Sequence, residues 1–212
     1  MPTRKRLDRF IRSVDSIIAN ASSKDNYELI IGLDDDDTDT IAGTVEYLKN
    51  KNINSKIIYF YRMYYKNFHR YTLALFNNCS GELVWTFPDD CEILSKNWDE
   101  ILLNNKNHLY LKVNMADDSN WWDFSIVPVI SEKWVKKTQR IAENSQTDIW
   151  LGKIASDLQI VQRVPEVICN IFAEPNIPLH NITGFNSEES QKYLEEDKLK
   201  IKELMKEIKY RT

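Results

Sequence analysis

Asp89 and Asp90 are the residues best placed to do chemistry, because only Pro88 separates them from the apolar run Leu83-Val84-Trp85-Thr86-Phe87. Gly81 and Pro88 bound that run, which predicts a short buried strand ending at the acids. Two carboxylates at the carboxyl end of a strand in an open α/β sheet face the crevice where ligands bind. Their hard oxygens suit Mg²⁺ or Mn²⁺ carrying a diphosphate. The competing structural reading is a solvated turn that caps the next segment. A second acidic group, Asp34-Asp35-Asp36-Asp37, follows the apolar Tyr27-Glu28-Leu29-Ile30-Ile31-Gly32-Leu33 and precedes a helical pattern, so it falls on the same edge. There one carboxylate can accept the imide NH of uracil or a ribose hydroxyl, while others cap the helix and complement its dipole. An EF-hand spacing fits Asp35, Asp37, Asp39 and Glu46. It fails at Thr40, where the loop needs Gly, and on the strand, rather than helix, that comes before.

Alternating helices and strands must position these acids. Leu7, Phe10, Ile11, Val14, Ile17 and Ile18 recur at helical spacing, and residues 27–33 then read as a buried strand. Thr38 or Asp39 caps a helix carrying Ile41, Val45 and Leu48; residues 56–60 form a strand and 70–76 a helix before the strand that leads to Asp89. Such βαβα order implies an α/β fold with a mainly parallel, Rossmann-like sheet flanked by helices and a nucleotide-sized crevice at the strand ends. Further on, 109–113 and 124–130 read as strands and 132–142 and 148–158 as helices. Residues 188–210 read as a charged helix with Leu194, Ile201, Leu204, Met205 and Ile208 on its apolar side. The expected organisation is a domain over 1–185 and a C-terminal helix over 186–212 that packs on the domain or on a partner, including a second copy in a homodimer. Between the late strands, Trp121 and Trp122 beside two acids can stack on a sugar, although adjacent tryptophans also serve as packing residues.

A chain of 212 residues with 42% apolar content can bury a full core as one domain. No apolar stretch approaches the ~20 residues of a membrane span, and no signal segment opens the chain. Three cysteines without zinc-site spacing point to free thiols in a reducing cytoplasm. A net charge of -4 argues against non-specific nucleic-acid binding; the local cluster Arg4-Lys5-Arg6, Arg9 and Arg12 suits a phosphate better than a duplex. The Lys, Asn and Ile richness suits an AT-rich genome, a viral one included. A nucleotidyltransferase would need a Gly-rich phosphate loop, which five glycines do not supply.

The order Pro2-Thr3-Arg4, the strand ending in Asp34 to Asp37, Ser80-Gly81-Glu82, Asp89-Asp90 and Asn97-Trp98-Asp99 resembles family-2 glycosyltransferases of the GT-A fold, over roughly residues 2–170. The resemblance implies transfer of a sugar from a nucleoside-diphosphate donor, a UDP-sugar, to an acceptor hydroxyl with inversion. It assigns Pro2, Thr3 and Arg4 to the nucleotide loop and one of the tetrad, Asp34 or Asp36, to the base. Arg70 is assigned to the diphosphate, Asp89 to the ribose or sugar, and Asp90 to Mn²⁺ or Mg²⁺. Asp148, in Gln146-Thr147-Asp148, matches the catalytic base, and a helix amino terminus is expected to lower its pKa. Its plain structural reading is a first-turn acid on a helix dipole. The acceptor class includes glycans, lipid-linked sugars and, as a lesser alternative, hydroxymethylated DNA. Three departures stand out: Met1-Pro2 leaves no residues for a first strand, Cys91 takes the last place of Asp-x-Asp, and the metal-site His is replaced by Val167-Ile168-Cys169-Asn170, with His180 as a substitute. A non-catalytic relative binding a sugar or partner through Trp121-Trp122 is the alternative these departures favour.

Overall fold

The computed structural model describes residues 1–62, 67–116, 125–172 and 187–209. Its first half is a parallel sheet of β1 (Pro2–Thr3), β2 (Leu29–Asp34) and β3 (Ser55–Phe60), in that order, wrapped by α1 (Leu7–Asn20), α2 (Thr38–Lys51) and α3 (Phe68–Phe76). The expected loss of the first strand does not hold. Pro2 and Thr3 pair with Gly32 and Leu33, and Met1 brackets them by giving its amino group to the Ile30 carbonyl (2.7 Å) and accepting from Gly32 (3.0 Å). Pro2 has no NH to give, so it is tolerated at this sheet edge. The helical spacing in α1 buries Phe10, Val14 and Ile17 against Ile31 and Leu33 or the second sheet. Gly32 is required by close approach: a Cβ there would stand 3.0 Å from the Phe60 ring and 3.3 Å from Leu75 of α3.

The second sheet runs β4 (Leu83–Trp85), β7 (Val129–Ser131), β6 (Tyr110–Met115), β8 (Val161–Ile171) and β5 (Cys91–Ile93), with only β6 and β8 parallel among its pairs. Parallel pairing is thus concentrated in the first sheet, and the second is mixed. Two strands have no counterpart in the sequence reading. β5 is three residues long, and β8 contains Pro165, which marks a mid-sheet strand as improbable. The sheet accommodates it by a bulge: Val113 faces Val164, but Asn114 faces Ile168, so residues 165–167 lie outside the ladder.

α4 (Trp98–Asn104), α5 (Glu132–Thr138), α6 (Thr147–Asp157) and α7 (Glu188–Lys209) complete the fold. α7 lays Leu194, Ile201 and Leu204 on a cluster containing Trp134, Trp150, Leu151 and Ile154. Its buried Asp197 accepts from Trp150 Nε1 (3.2 Å) and pairs with Arg140 Nε (3.3 Å), while Arg140 also stacks 4.6 Å over the Tyr193 ring. Burial pushes the Asp197 carboxyl up to about 6, against the pull of Arg140 and Trp150. No described helix is long and apolar enough to cross a membrane.

The Asn97-Trp98-Asp99 string proves to be a structural tie. Asp99, buried, accepts from Ser22 N (2.7 Å), Ser22 Oγ (2.8 Å), Ser23 N (3.1 Å) and Asn26 Nδ2 (2.9 Å), and Trp98 Nε1 donates to Ile17 O (3.1 Å). Burial raises the Asp99 pKa, but these donors together outweigh it and hold the carboxyl at about 2. A depressed carboxyl stabilises the fold above its unfolded pKa of 3.8, and that contribution is lost as pH falls through about 2. Asp99→Asn is expected to cost about 2–3 kcal/mol at pH 7, or about 5–10 °C in Tm for a chain of this size. The deficit should vanish near pH 2 in calorimetric melts; equal melting at pH 7 would refute the tie.

Candidate active site

The turn after β1 gathers the first cluster. Lys5 adopts φ 52°, and its NH donates to Asp37 Oδ2 at 2.6 Å, folding the loop against the end of β2. Arg4 then forks across the tetrad: Nη1 donates to Asp34 Oδ2 (2.9 Å) and to Asp36 Oδ1, and Nη2 donates to Asp36 Oδ2 (3.0 Å). Hydrogen bonding from Arg4 lowers the Asp36 pKa, whereas burial raises that of Asp34 despite Arg4. Asp35 gives its NH to Phe60 O (2.8 Å), which ties the tetrad to β3.

The acid pair forms the second cluster, on the turn between β4 and β5. Arg6, at the start of α1, reaches both carboxylates, with Nη1 3.2 Å from Asp89 Oδ1 and 3.8 Å from Asp90 Oδ2. The side chains of Asp89, Asp90 and Arg6 are 7%, 18% and 42% exposed, so the pair is a half-closed acidic pocket with a cation at its mouth. Burial raises the Asp89 pKa, the neighbouring Thr3 hydroxyl and Arg6 lower it, and the charge of Asp90 raises it again. The backbone is fixed on both sides: Ser13 Oγ donates to Cys91 O (2.5 Å), and Phe172 N donates to Asp90 O (3.0 Å). An open cleft of about 890 Å³ lies between the amino ends of α1 and α2, lined by Lys5, Arg6, Asp8, Arg9, Asp37 and Asp39 among others, so that Arg6 is shared between it and the acid pair. Its three cations are matched by three acids, and the two helix amino ends are what favours an anionic group there.

The structure therefore brings Thr3, Arg4, Asp34 and Asp36, at the ends of β1 and β2 in the first sheet, together with Asp89 and Asp90 on the turn before β5 of the second, with Arg6 of the β1–α1 loop reaching that pair. Arg70 is exposed on α3, and no hydrogen bond or ion pair among the described residues joins it to the acid pair. Asp148 stands half-buried in the first turn of α6, with its carboxyl largely shielded from water. Burial raises its pKa, outweighing the backbone NH groups of Ile149 and Asp148 that favour the charged form. The lowering expected from a helix terminus is thus overturned by desolvation. Its charge is felt by the hydroxyl of Tyr110, which accepts from Ser125 N at 2.9 Å. Trp121, Trp122 and His180 lie outside the described residues. Arg6 was read only as part of a basic cluster; its partner is 83 positions away, and its one sequence signal was a run of cations opening an acidic chain.

The donor chemistry of the pair, two hard carboxylates, suits Mn²⁺ or Mg²⁺, but the arrangement does not fit either ion as it stands. Arg6 already holds a positive charge between them, and the described residues hold no cluster of three or more His, Cys, Asp or Glu side chains. Glu92, the nearest acid in sequence, is committed to Arg12 (2.7 and 3.0 Å) and Asn170 (2.9 Å).

Residues 1–114, more than half of the chain, match the model of glycosyl transferase family 2. The chain belongs to that family. Its fold is the GT-A fold of solved glycosyltransferases. Staphylococcus aureus TarS 1–349 in complex with UDP superposes with TM-score 0.65 at 14% identity, over 80% of this chain and 59% of that one. The same protein with UDP-GlcNAc gives 0.64 at 13%, over 82% and 58%. The mannosyltransferase PcManGT of Pyrobaculum calidifontis, in complex with GDP-Man and Mn²⁺, gives 0.65 at 11%, over 82% and 56%. This family-2 chain spans less than three fifths of the length of each of these three, and no curated protein matches its sequence.

Two members of the acidic tetrad separate by their surroundings. Asp37 is buried and holds the Lys5 NH, whereas Asp36 is exposed in a surface ion pair. Asp37→Ala is expected to cost about 1–2 kcal/mol in urea unfolding and Asp36→Ala clearly less, because an exposed ion pair contributes little. The reverse order would show that the loop is not held through Asp37.

Proposed function

We propose that this domain binds a nucleoside-diphosphate sugar, UDP-linked, at the site carrying Thr3, Arg4, Asp34, Asp36, Asp89 and Asp90, and transfers the sugar to an acceptor hydroxyl with inversion. The observation that carries this reading is the meeting of the Pro2-Thr3-Arg4 loop and the tetrad, at the strand ends of the first sheet, with the acid pair of the second in a family-2 chain. The loop and tetrad take the nucleoside, with Asp34 or Asp36 accepting from the base once Arg4 shares its hydrogen bonds with the ligand. Asp89 accepts from the ribose or sugar hydroxyls. Asp148 takes the proton of the acceptor hydroxyl as its oxygen bonds to the anomeric carbon; the bond from that carbon to the β-phosphate oxygen breaks, and the diphosphate leaves with the electron pair. Attack opposite the leaving group inverts the anomeric centre. Arg70, exposed on α3, is the further cation proposed for the diphosphate. Trp121 and Trp122 supply a stacking surface for donor or acceptor sugar. Glycans and lipid-linked sugars are the acceptor class.

A base with a raised pKa is better matched to neutral pH than an ordinary aspartate, because it holds the accepted proton more firmly. Asp148→Asn is expected to lower kcat about 10²–10⁴-fold while UDP binding, read by calorimetry, stays unchanged. In the unaltered chain kcat should fall as acid protonates Asp148, through a pKa above the ordinary 3.8. Retained turnover in Asp148→Asn would remove the base role, and lost UDP binding would make the residue structural. The non-catalytic alternative predicts UDP-independent sugar binding with no turnover; the presence of β1 removes one of the departures that favoured it.

A further inference from the structure

We propose that Arg6 is the resident cation of the Asp89–Asp90 pair, occupying the position a divalent metal would take, so that Mn²⁺ or Mg²⁺ binds the pair only by displacing it. In its bearing on donor chemistry this rests on the function proposed above; as a statement about metal binding it does not.

Three features carry it. First, the guanidinium reaches both acids from one nitrogen, at 3.2 and 3.8 Å, which is where a bridging cation would stand. Second, the position is built into the backbone. Arg6 is the residue preceding α1, and α1 is bonded to the strand after the acids by Ser13 Oγ to Cys91 O (2.5 Å), Ile93 N to Ser16 Oγ (3.0 Å) and Asn20 Nδ2 to Ile93 O (2.6 Å). The Arg12–Glu92 fork adds a further link along the same helix. A helix pinned at four points keeps its first residue over the acid turn. Third, no neighbouring protein ligand favours a dication over Arg6: Glu92 faces Arg12 and Asn170, and Cys91 is a buried thiol beside Cys169, so without nucleotide an ion would have only the two carboxylates and water to set against the guanidinium.

Charge arithmetic points the same way. Two carboxylates and one guanidinium sum to -1, so a dication entering beside Arg6 would leave an excess of +1 in a half-buried pocket. With Arg6 displaced, the pair and a dication sum to zero. Removing the guanidinium therefore exposes a doubly negative, partly desolvated site whose affinity for a dication must rise. On the donor side, the same guanidinium is 42% exposed at the pocket mouth, beside the cleft it helps to line. There it can meet the β-phosphate as negative charge develops on it, the role for which arginine's fork is suited.

The test is Mn²⁺ alone, titrated without nucleotide into the intact chain and read by electron paramagnetic resonance of the free ion. Arg6→Gln is expected to bind Mn²⁺ at least tenfold more tightly than the unaltered protein, and Arg6→Gln with Asp90→Asn is expected to lose that gain. Arg6→Lys keeps a cation and should bind like the unaltered chain. A gain below tenfold, a gain that survives Asp90→Asn, or a gain equally large in Arg6→Lys would each overturn the proposal. Circular-dichroism melts confirm that each variant is folded before titration, and Arg6→Met serves as a second neutral variant if Arg6→Gln does not fold. UDP titrated in EDTA is a separate measurement. Binding to the unaltered chain that weakens in Arg6→Gln supports the role toward the diphosphate, whereas failure of UDP to bind at all would sink the donor reading and leave the Mn²⁺ comparison standing.

Discussion

The open edge of β5 is the constraint on which the site depends. An edge strand presents unpaired backbone groups, and among the described residues no further strand covers them. Side chains of α1 do so instead: Ser13, Ser16 and Asn20 satisfy Cys91 and Ile93 in turn. Because α1 also packs Phe10 and Val14 on the first sheet, this seam joins the two sheets. It sets the register between a loop that follows β1 and a turn that precedes β5, although the two are about 80 residues apart in sequence.

Electrostatics at the site is a contest between burial and pairing, and it comes out differently at each acid. Asp36, exposed and forked by Arg4, is held charged. Asp34 and Asp89 lose more from desolvation than they gain from Arg4 and Arg6, so both are raised. Acids held this way favour any rearrangement that brings them a new hydrogen-bond donor or a stronger cation, which is what a nucleotide's hydroxyl and imide groups offer. The cations are in turn only partly buried and can be shared with an incoming anion.

Local pattern carried much of the fold. The 3.6-residue spacing from Leu7 to Ile18 and the apolar run 27–33 gave α1 and β2 because each buries a continuous face. β8 escaped because Pro165 breaks the pattern and the bulge that absorbs it is a tertiary event. β5 escaped because three residues carry no period. The acids of the site were legible as types at a strand end, but their partners were not: Arg6 meets Asp89 only through the α1 seam. Asp99 was legible as part of a family string, yet its four donors come from the turn after α1, which places it in the scaffold. Asp148 was picked out by its place at a helix start, and the direction of its pKa shift was missed because a sequence displays the helix start but not the desolvation around it.

Asp99 and Asp197 are two buried carboxylates with opposite proton affinities, about 2 and about 6. The folded chain takes up a proton at Asp197 more readily than the unfolded chain does, so the unfavourable burial of this charge is relieved, and its contribution to folding improves, as pH falls from about 6 to about 4. Asp99 behaves in the other sense and gives way only below that range. At these two carboxylates acid therefore pulls the fold in opposite senses: the tie of α1, its following turn and α4 is weakened while the Asp197 contact under α7 is not, although the Asp157–Lys198 and Glu196–Arg140 pairs around that helix also lose their charge in acid.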